Sequence, residues 1–137
     1  MIILIFLNQS PESVYEFNTD LLLNYKKIGD AYLSDMRRSM SKQPVDYELY
    51  YYLQQVYNAY YVIIGGLIDG TYEDNKIINK DYDEFVKQCD ALLKNLDGHV
   101  SDQVIEAVAI KVDGVELLLK KLIYIISNYC DKSGGNL

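Results

Sequence analysis

Side chains capable of acid–base or nucleophilic chemistry are few and scattered in this sequence. The single histidine, His99, stands in the segment "DGHVS", and the two cysteines, Cys89 and Cys130, belong to no metal-binding or redox motif. A catalytic triad or a zinc site needs several such residues brought together. The carboxylate pairs Glu73–Asp74 and Asp83–Glu84 fall on a predicted loop and helix start, which favour structural roles. The sequence therefore predicts a protein that is not an enzyme and has no catalytic residue, metal site or cofactor.

Tyrosine is the residue type that stands out, because seven of the 15 residues from Tyr47 to Tyr61 are tyrosine. On a helix that turns 100° per residue, this segment presents two different faces. The predicted core stripe comprises Val45, Leu49, Tyr52, Val56, Tyr60, Ile63 and Leu67. The opposite face carries no charge and comprises Tyr47, Tyr50, Tyr51, Gln54, Tyr57, Asn58 and Tyr61. We predict that this second face is a partner-binding site.

Three interpretations fit the tyrosine face. Neighbouring helices of the same chain could bury it, since tyrosine tolerates half-burial when its hydroxyl reaches water. It could instead form a protein interface, where tyrosine is enriched and charge is depleted. A stacking platform for single-stranded nucleic acid would need a cationic groove, and no Lys or Arg occurs over the 33 residues from Gln43 to Asn75. The first two interpretations stay open, and the third is disfavoured.

Composition narrows the class of protein. The chain has 137 residues, of which 50% are apolar, enough for one domain with a substantial core. Its net charge of −7 works against binding a phosphate backbone. The opening "MIILIFLNQSP" has too short an apolar run to cross a bilayer and lacks the basic start of a signal peptide. We expect a cytoplasmic protein that contacts neither membranes nor nucleic acid directly, with two reduced cysteines.

The element pattern predicts an all-α fold, a single-domain antiparallel bundle of about four helices. Residues 1–9 are expected to form an apolar N-terminal arm, residues 10–131 the bundle, and residues 132–137 a polar tail. The first helix starts at Pro11, with Ser10 as its cap, and ends before Pro44. The second helix is predicted over Pro44–Leu67.

The second half of the chain supplies two more helices. The stretch "GGLIDGTYEDN" is predicted to be a loop whose glycines end the second helix. The third helix is predicted to restart at Asp81, with Glu84 in the capping-box position. Ser101 is expected to cap the last helix, whose wide apolar face suggests a central position. Its stripe comprises Val104, Val108, Val112, Val115, Leu119, Leu122, Ile126 and Tyr129.

The polar side of the last helix carries a second, weaker apolar line. Ile110, Leu117 and Tyr124 recur every seven residues, which places them on one side of a helix. Together with the tyrosine face, this line favours a homo-oligomer or a protein partner. The alternative hypothesis is an acidic inhibitor or antitoxin-like protein, of viral or mobile-element type, that masks a basic nucleic-acid-binding surface. It rests on the net charge and on the acid-rich segment from Asp69 to Asp90.

Overall fold

Apolar residues at helical spacing organise this chain into four helices. A computed structural model describes the backbone of residues 11–42, 44, 46–70, 72 and 75–134 and the side chains of 20–42, 44, 46–70, 72 and 76–125. The helices are α1 (Pro11–Met40), α2 (Tyr47–Asp69), α3 (Asn75–Leu96) and α4 (Asp102–Gly134). The predicted all-α helical bundle is confirmed. The predicted N-terminal arm and residues 135–137 of the predicted tail lie outside the described residues, and α4 extends to Gly134.

Consecutive helices run antiparallel, as their short connections require. The closest packing joins α1 to α4 and α2 to α3, and looser contacts between α1 and α2 and between α3 and α4 complete a ring. Each helix therefore has two neighbours, and the backbones of diagonal helices do not approach each other closely within the described part of the chain. The predicted central position of α4 is wrong, because a ring of four helices has no central member.

The core runs along the axis of this ring and takes side chains from every helix. Met36, Val56, Phe85 and Leu119 come from α1, α2, α3 and α4 in turn, and all four have no exposed surface. Burial of one such side chain contributes about 1.5–3 kcal/mol to folding. The buried residues of α2 are Leu49, Leu53, Val56, Tyr60, Ile63, Ile64 and Leu67. The predicted stripe included Tyr52, which is only half-buried, and Val45, which lies outside the described residues, and it missed Leu53 and Ile64.

Helix α2 ends later than its glycines suggest. Gly65 and Gly66 remain helical, and the helix closes at Gly70, which takes the left-handed conformation with φ 68°. The predicted loop start at Gly65 is therefore wrong, although a glycine does terminate the helix as expected. Gly66 lies against the ring of Tyr72, whose Cε2 would lie 2.5 Å from a Cβ at this position, so that the missing Cβ leaves room for the ring.

Helix α3 begins at Asn75, so the predicted start at Asp81 is wrong. The physical reason is that Ile78, with 3% of its surface exposed, extends the apolar stripe of this helix by one more turn towards its start. Asp81 accepts a hydrogen bond from the Tyr72 hydroxyl at 2.5 Å, and Glu84 accepts one from Gln88 one turn later. Both carboxylates therefore lie inside the helix and make no capping box.

Helix α4 begins where the sequence predicts. The Ser101 hydroxyl accepts a hydrogen bond from the backbone N–H of Val104 at 3.3 Å, which caps the helix. Gly114 lies against the Tyr32 ring of α1, and a Cβ at this glycine would lie 2.9 Å from Tyr32 Cζ. The glycine therefore permits the close approach of α1 and α4. The buried members of the predicted stripe are Val104, Val108, Val112, Val115, Leu119 and Leu122, whereas Ile126 and Tyr129 lie outside the described side chains.

Candidate protein-interaction site

The tyrosines of α2 divide into those that contact α1 and those that face solvent. Tyr60 is fully buried, and its hydroxyl donates to the backbone carbonyl of Lys26 at 3.2 Å. One turn earlier, the hydroxyl of half-buried Tyr57 donates to the backbone carbonyl of Leu33 at 3.0 Å. These two tyrosines bind α2 to α1 by packing and by hydrogen bonding, and burial raises the pKa of both phenols.

A glycine on α1 makes the close approach of Tyr60 possible. A Cβ at Gly29 would lie 2.2 Å from Tyr60 Oη and 2.8 Å from its Cζ. Both distances are shorter than the contact distance of non-bonded atoms. The ring also makes edge contacts with Tyr61 at 5.1 Å between centroids and a tilted contact with Phe85 at 6.5 Å. Tyr60 is thus a core residue, as the sequence predicts.

Two further tyrosines contact the charged side chains of α1. The Tyr50 ring lies 5.8 Å from the guanidinium carbon of Arg37, and its hydroxyl is 3.2 Å from Ser41 Oγ. The Tyr61 hydroxyl donates to Asp30 at 3.2 Å while its ring remains 42% exposed. Helix α1 therefore covers one edge of the predicted tyrosine face, and it engages Tyr50, Tyr57 and Tyr61 within the same chain.

The rest of the predicted face is open to solvent and forms one line along α2. Tyr47 is 92% exposed and Tyr51 is 62% exposed, and the exposed amides of Gln54 and Asn58 are joined by a 3.0 Å hydrogen bond. Their spacing of three and four residues puts them on one side of the helix. We call this line the α2 stripe, and it comprises Tyr47, Tyr51, Gln54, Asn58, Tyr61 and Val62.

Along most of the α2 stripe, no neighbouring residue of α2 is charged. Glu48 and Asp69 are the only charged residues of α2, and they occupy its two ends. By contrast, the exposed side of α3 carries charges of both signs at Lys76, Lys80, Asp83, Glu84, Lys87, Asp90 and Lys94. The α3 surface has the composition typical of a solvated helix, and the α2 stripe does not.

A polar groove adjoins the α2 stripe on its α1 side. It has a volume of about 210 Å³ and is lined by Arg37, Tyr50, Leu53, Gln54 and Tyr57. Arg37 escaped the sequence-based prediction because it belongs to a different helix, and only the packing of α1 against α2 places it beside the tyrosines. Spacing within one helix carries no signal for such a pair.

The apolar line predicted on α4 is also exposed. Ile110, Leu117 and Tyr124 are 58%, 54% and 69% exposed. Leu117 borders a second groove, of about 240 Å³, between α1 and α4, with Tyr25 and Ile28 on its other wall. Two separate exposed apolar lines are therefore present, one on each side of α1.

Reactive groups are not gathered into a catalytic arrangement in the described part of the chain. His99 is exposed in its loop, and burial raises the pKa of the Cys89 thiol, which keeps it protonated. No cluster of three or more possible metal ligands occurs among the described residues. None of the helices, over those residues, has the length and apolar character needed to cross a bilayer. Comparison with known proteins finds no match to this chain among protein-family models, curated proteins or solved structures.

Proposed function

We propose that this protein is a non-enzymatic interaction protein that self-associates through the α2 stripe. The observation that carries the proposal is the exposure of Tyr47 and Tyr51 on a helix whose only charged residues, Glu48 and Asp69, lie at its two ends. An exposed tyrosine ring keeps much of its apolar surface in water, and burying it against a partner removes that cost.

The composition of the stripe favours a protein as the partner. Tyrosine is enriched at the centre of interfaces and charged residues are depleted there, because a charge buried without a partner is costly. The amides of Gln54 and Asn58 share one hydrogen bond, which reduces the number of polar groups that a partner has to pair. The stripe also avoids the entropy cost of ordering long lysine or glutamate side chains.

A second copy of this chain is the occupant that fits best. An uncharged helix face is self-complementary, because two copies can pair without placing like charges opposite each other. Pairing of two stripes brings tyrosine rings together, and edge-to-face ring contacts contribute about 0.5–1.5 kcal/mol each beyond their burial. The exposed line on α4 offers a further apolar contact for assembly.

The acidic-inhibitor hypothesis draws less support. Its motivation was the acid-rich segment up to Asp90, yet the exposed carboxylates on α3 are interspersed with exposed lysines. Asp81 is moreover engaged with the hydroxyl of Tyr72. A mimic of nucleic acid needs a continuous anionic surface, and α3 offers a mixed one.

The test compares two matched double variants by sedimentation velocity. Tyr47→Glu with Tyr51→Glu places two charges on the stripe, and we expect it to be monomeric while its helical circular dichroism is unchanged. Ile110→Glu with Leu117→Glu places the same two charges on the exposed line of α4 and is expected to keep most of the self-association. If the α4 variant dissociates and the α2 variant does not, the interface lies elsewhere and the assignment to the α2 stripe is wrong.

A further inference from the structure

We propose that the polar groove between α1 and α2 is a carboxylate-binding pocket that receives an aspartate or glutamate side chain of the second copy. This inference rests on the proposed self-association, and it adds a polar contact between the two copies to the pairing of their α2 stripes. The groove shares Gln54 with the α2 stripe, so a copy seated on the stripe also covers the mouth of the groove.

The groove holds the Arg37 guanidinium, which has no carboxylate partner in the part of the chain that the structure describes. By contrast, Lys26 pairs with Asp30 at 2.7 Å and Arg38 with Asp35 at 2.6 Å. Helix α2 cannot supply the missing carboxylate, because it is uncharged between its two ends. The cation is instead placed beside the tyrosines, and its positive charge opposes the burial effect that raises the pKa of Tyr57.

Neighbouring side chains orient the Arg37 guanidinium and add a hydrogen-bond donor to the groove. The Tyr50 ring contacts Arg37 at 5.8 Å from ring centroid to guanidinium carbon, which orients the planar group. The Gln54 amide uses one N–H to bond Asn58, and an amide has a second N–H to donate. The Tyr50 hydroxyl is already used, because it donates to Ser41 Oγ at 3.2 Å while the Ser41 hydroxyl donates to the backbone carbonyl of Arg37 at 2.9 Å.

Charge balance selects the class of ligand. One guanidinium and one neutral amide donor match one negative charge, and the planar fork of arginine matches the two oxygens of a carboxylate. A phosphate would bring additional negative charge to a chain whose net charge is already −7. The second copy is a rich source of the ligand, because the chain has 20 Asp and Glu against 13 Lys and Arg.

The experiment measures the dissociation constant for self-association of the 137-residue chain by sedimentation equilibrium, in the wild type and three variants. Arg37→Gln is expected to raise the constant about tenfold, the loss typical of a charge pair at an interface. Arg38→Gln removes the same charge from the next residue, which is 71% exposed and does not line the groove, and it should change the constant less than about twofold.

A third variant shows whether the effect of Arg37→Gln comes from the lost contact or from a change in folding. Arg37→Lys retains the charge but loses the planar fork, so its dissociation constant should fall between those of the wild type and Arg37→Gln. If the wild type self-associates and Arg37→Gln behaves like Arg38→Gln, the pocket is overturned while the α2 stripe stands. A wild type that stays monomeric overturns the proposed function and, with it, this inference.

Discussion

Within α2, the tyrosines that face α1 and the tyrosines that face solvent have the same chemistry and opposite environments. Tyr57 and Tyr60 bury their rings and donate their hydroxyls to α1 carbonyls, whereas Tyr47 and Tyr51 leave most of their surface in water. The difference teaches that tyrosine enrichment in one segment serves two purposes. The inward tyrosines join helices of one chain, and we propose that the outward tyrosines join chains.

The largest expected effect comes from truncating one tyrosine of each kind. Tyr60→Ala should lower the free energy of unfolding by about 3–5 kcal/mol, because it removes a fully buried ring and leaves a cavity. Tyr47→Ala, at a residue 92% exposed, should change it by less than about 0.5 kcal/mol. Urea denaturation at low protein concentration measures both values. Equal losses would contradict the division of the tyrosines.

A substitution on α1 also tests how closely Tyr60 packs against that helix. Gly29→Ala should destabilise the fold by about 1–3 kcal/mol, because the new methyl group overlaps the buried phenol. Gly65→Ala is the matched control on the open part of α2, where nothing lies within 4 Å of the added Cβ. We expect that change to stabilise the helix by about 0.5–1 kcal/mol. Thermal unfolding of the two variants should therefore shift in opposite directions.

The smallest effect isolates the hydroxyl groups. Tyr57→Phe removes the hydrogen bond to the Leu33 carbonyl and should cost about 0.5–1.5 kcal/mol of unfolding free energy. Tyr51→Phe removes an exposed hydroxyl and should leave stability within about 0.5 kcal/mol of the wild type. A Tyr57→Phe protein as stable as Tyr51→Phe would show that the hydroxyl contributes nothing to the contact between α1 and α2.

Helical periodicity was sufficient to predict the fold class and much of the core, although on α2 it included half-buried Tyr52 and missed Leu53 and Ile64. The spacing of Val104, Val108 and Val112 predicted the buried side of α4, and Ser101 was correctly predicted as its cap. The start of α3 was missed although Ile78 carried the signal, because polar residues flank the short Ile77–Ile78 pair on both sides. The end of α2 was missed because adjacent glycines such as Gly65 and Gly66 are typical of loops, whereas in the structure the helix continues through them to Asp69.

The candidate site was predictable only in part. A helical wheel identifies the uncharged face of α2, since that property depends on one helix alone. It cannot predict that α1 covers the edge at Tyr50 and Tyr57, because that depends on where a second helix packs. The same limit explains why Arg37, a distant residue in sequence, entered the site only with the tertiary structure.

The molar mass of the wild-type protein in solution tests the proposed interface most directly. Light scattering over a concentration series from about 1 μM to 1 mM should show a mass that rises with concentration from that of one chain, 15.8 kDa, to about twice that value. A mass of one chain at every concentration would contradict self-association and leave the outward tyrosines without the role proposed for them.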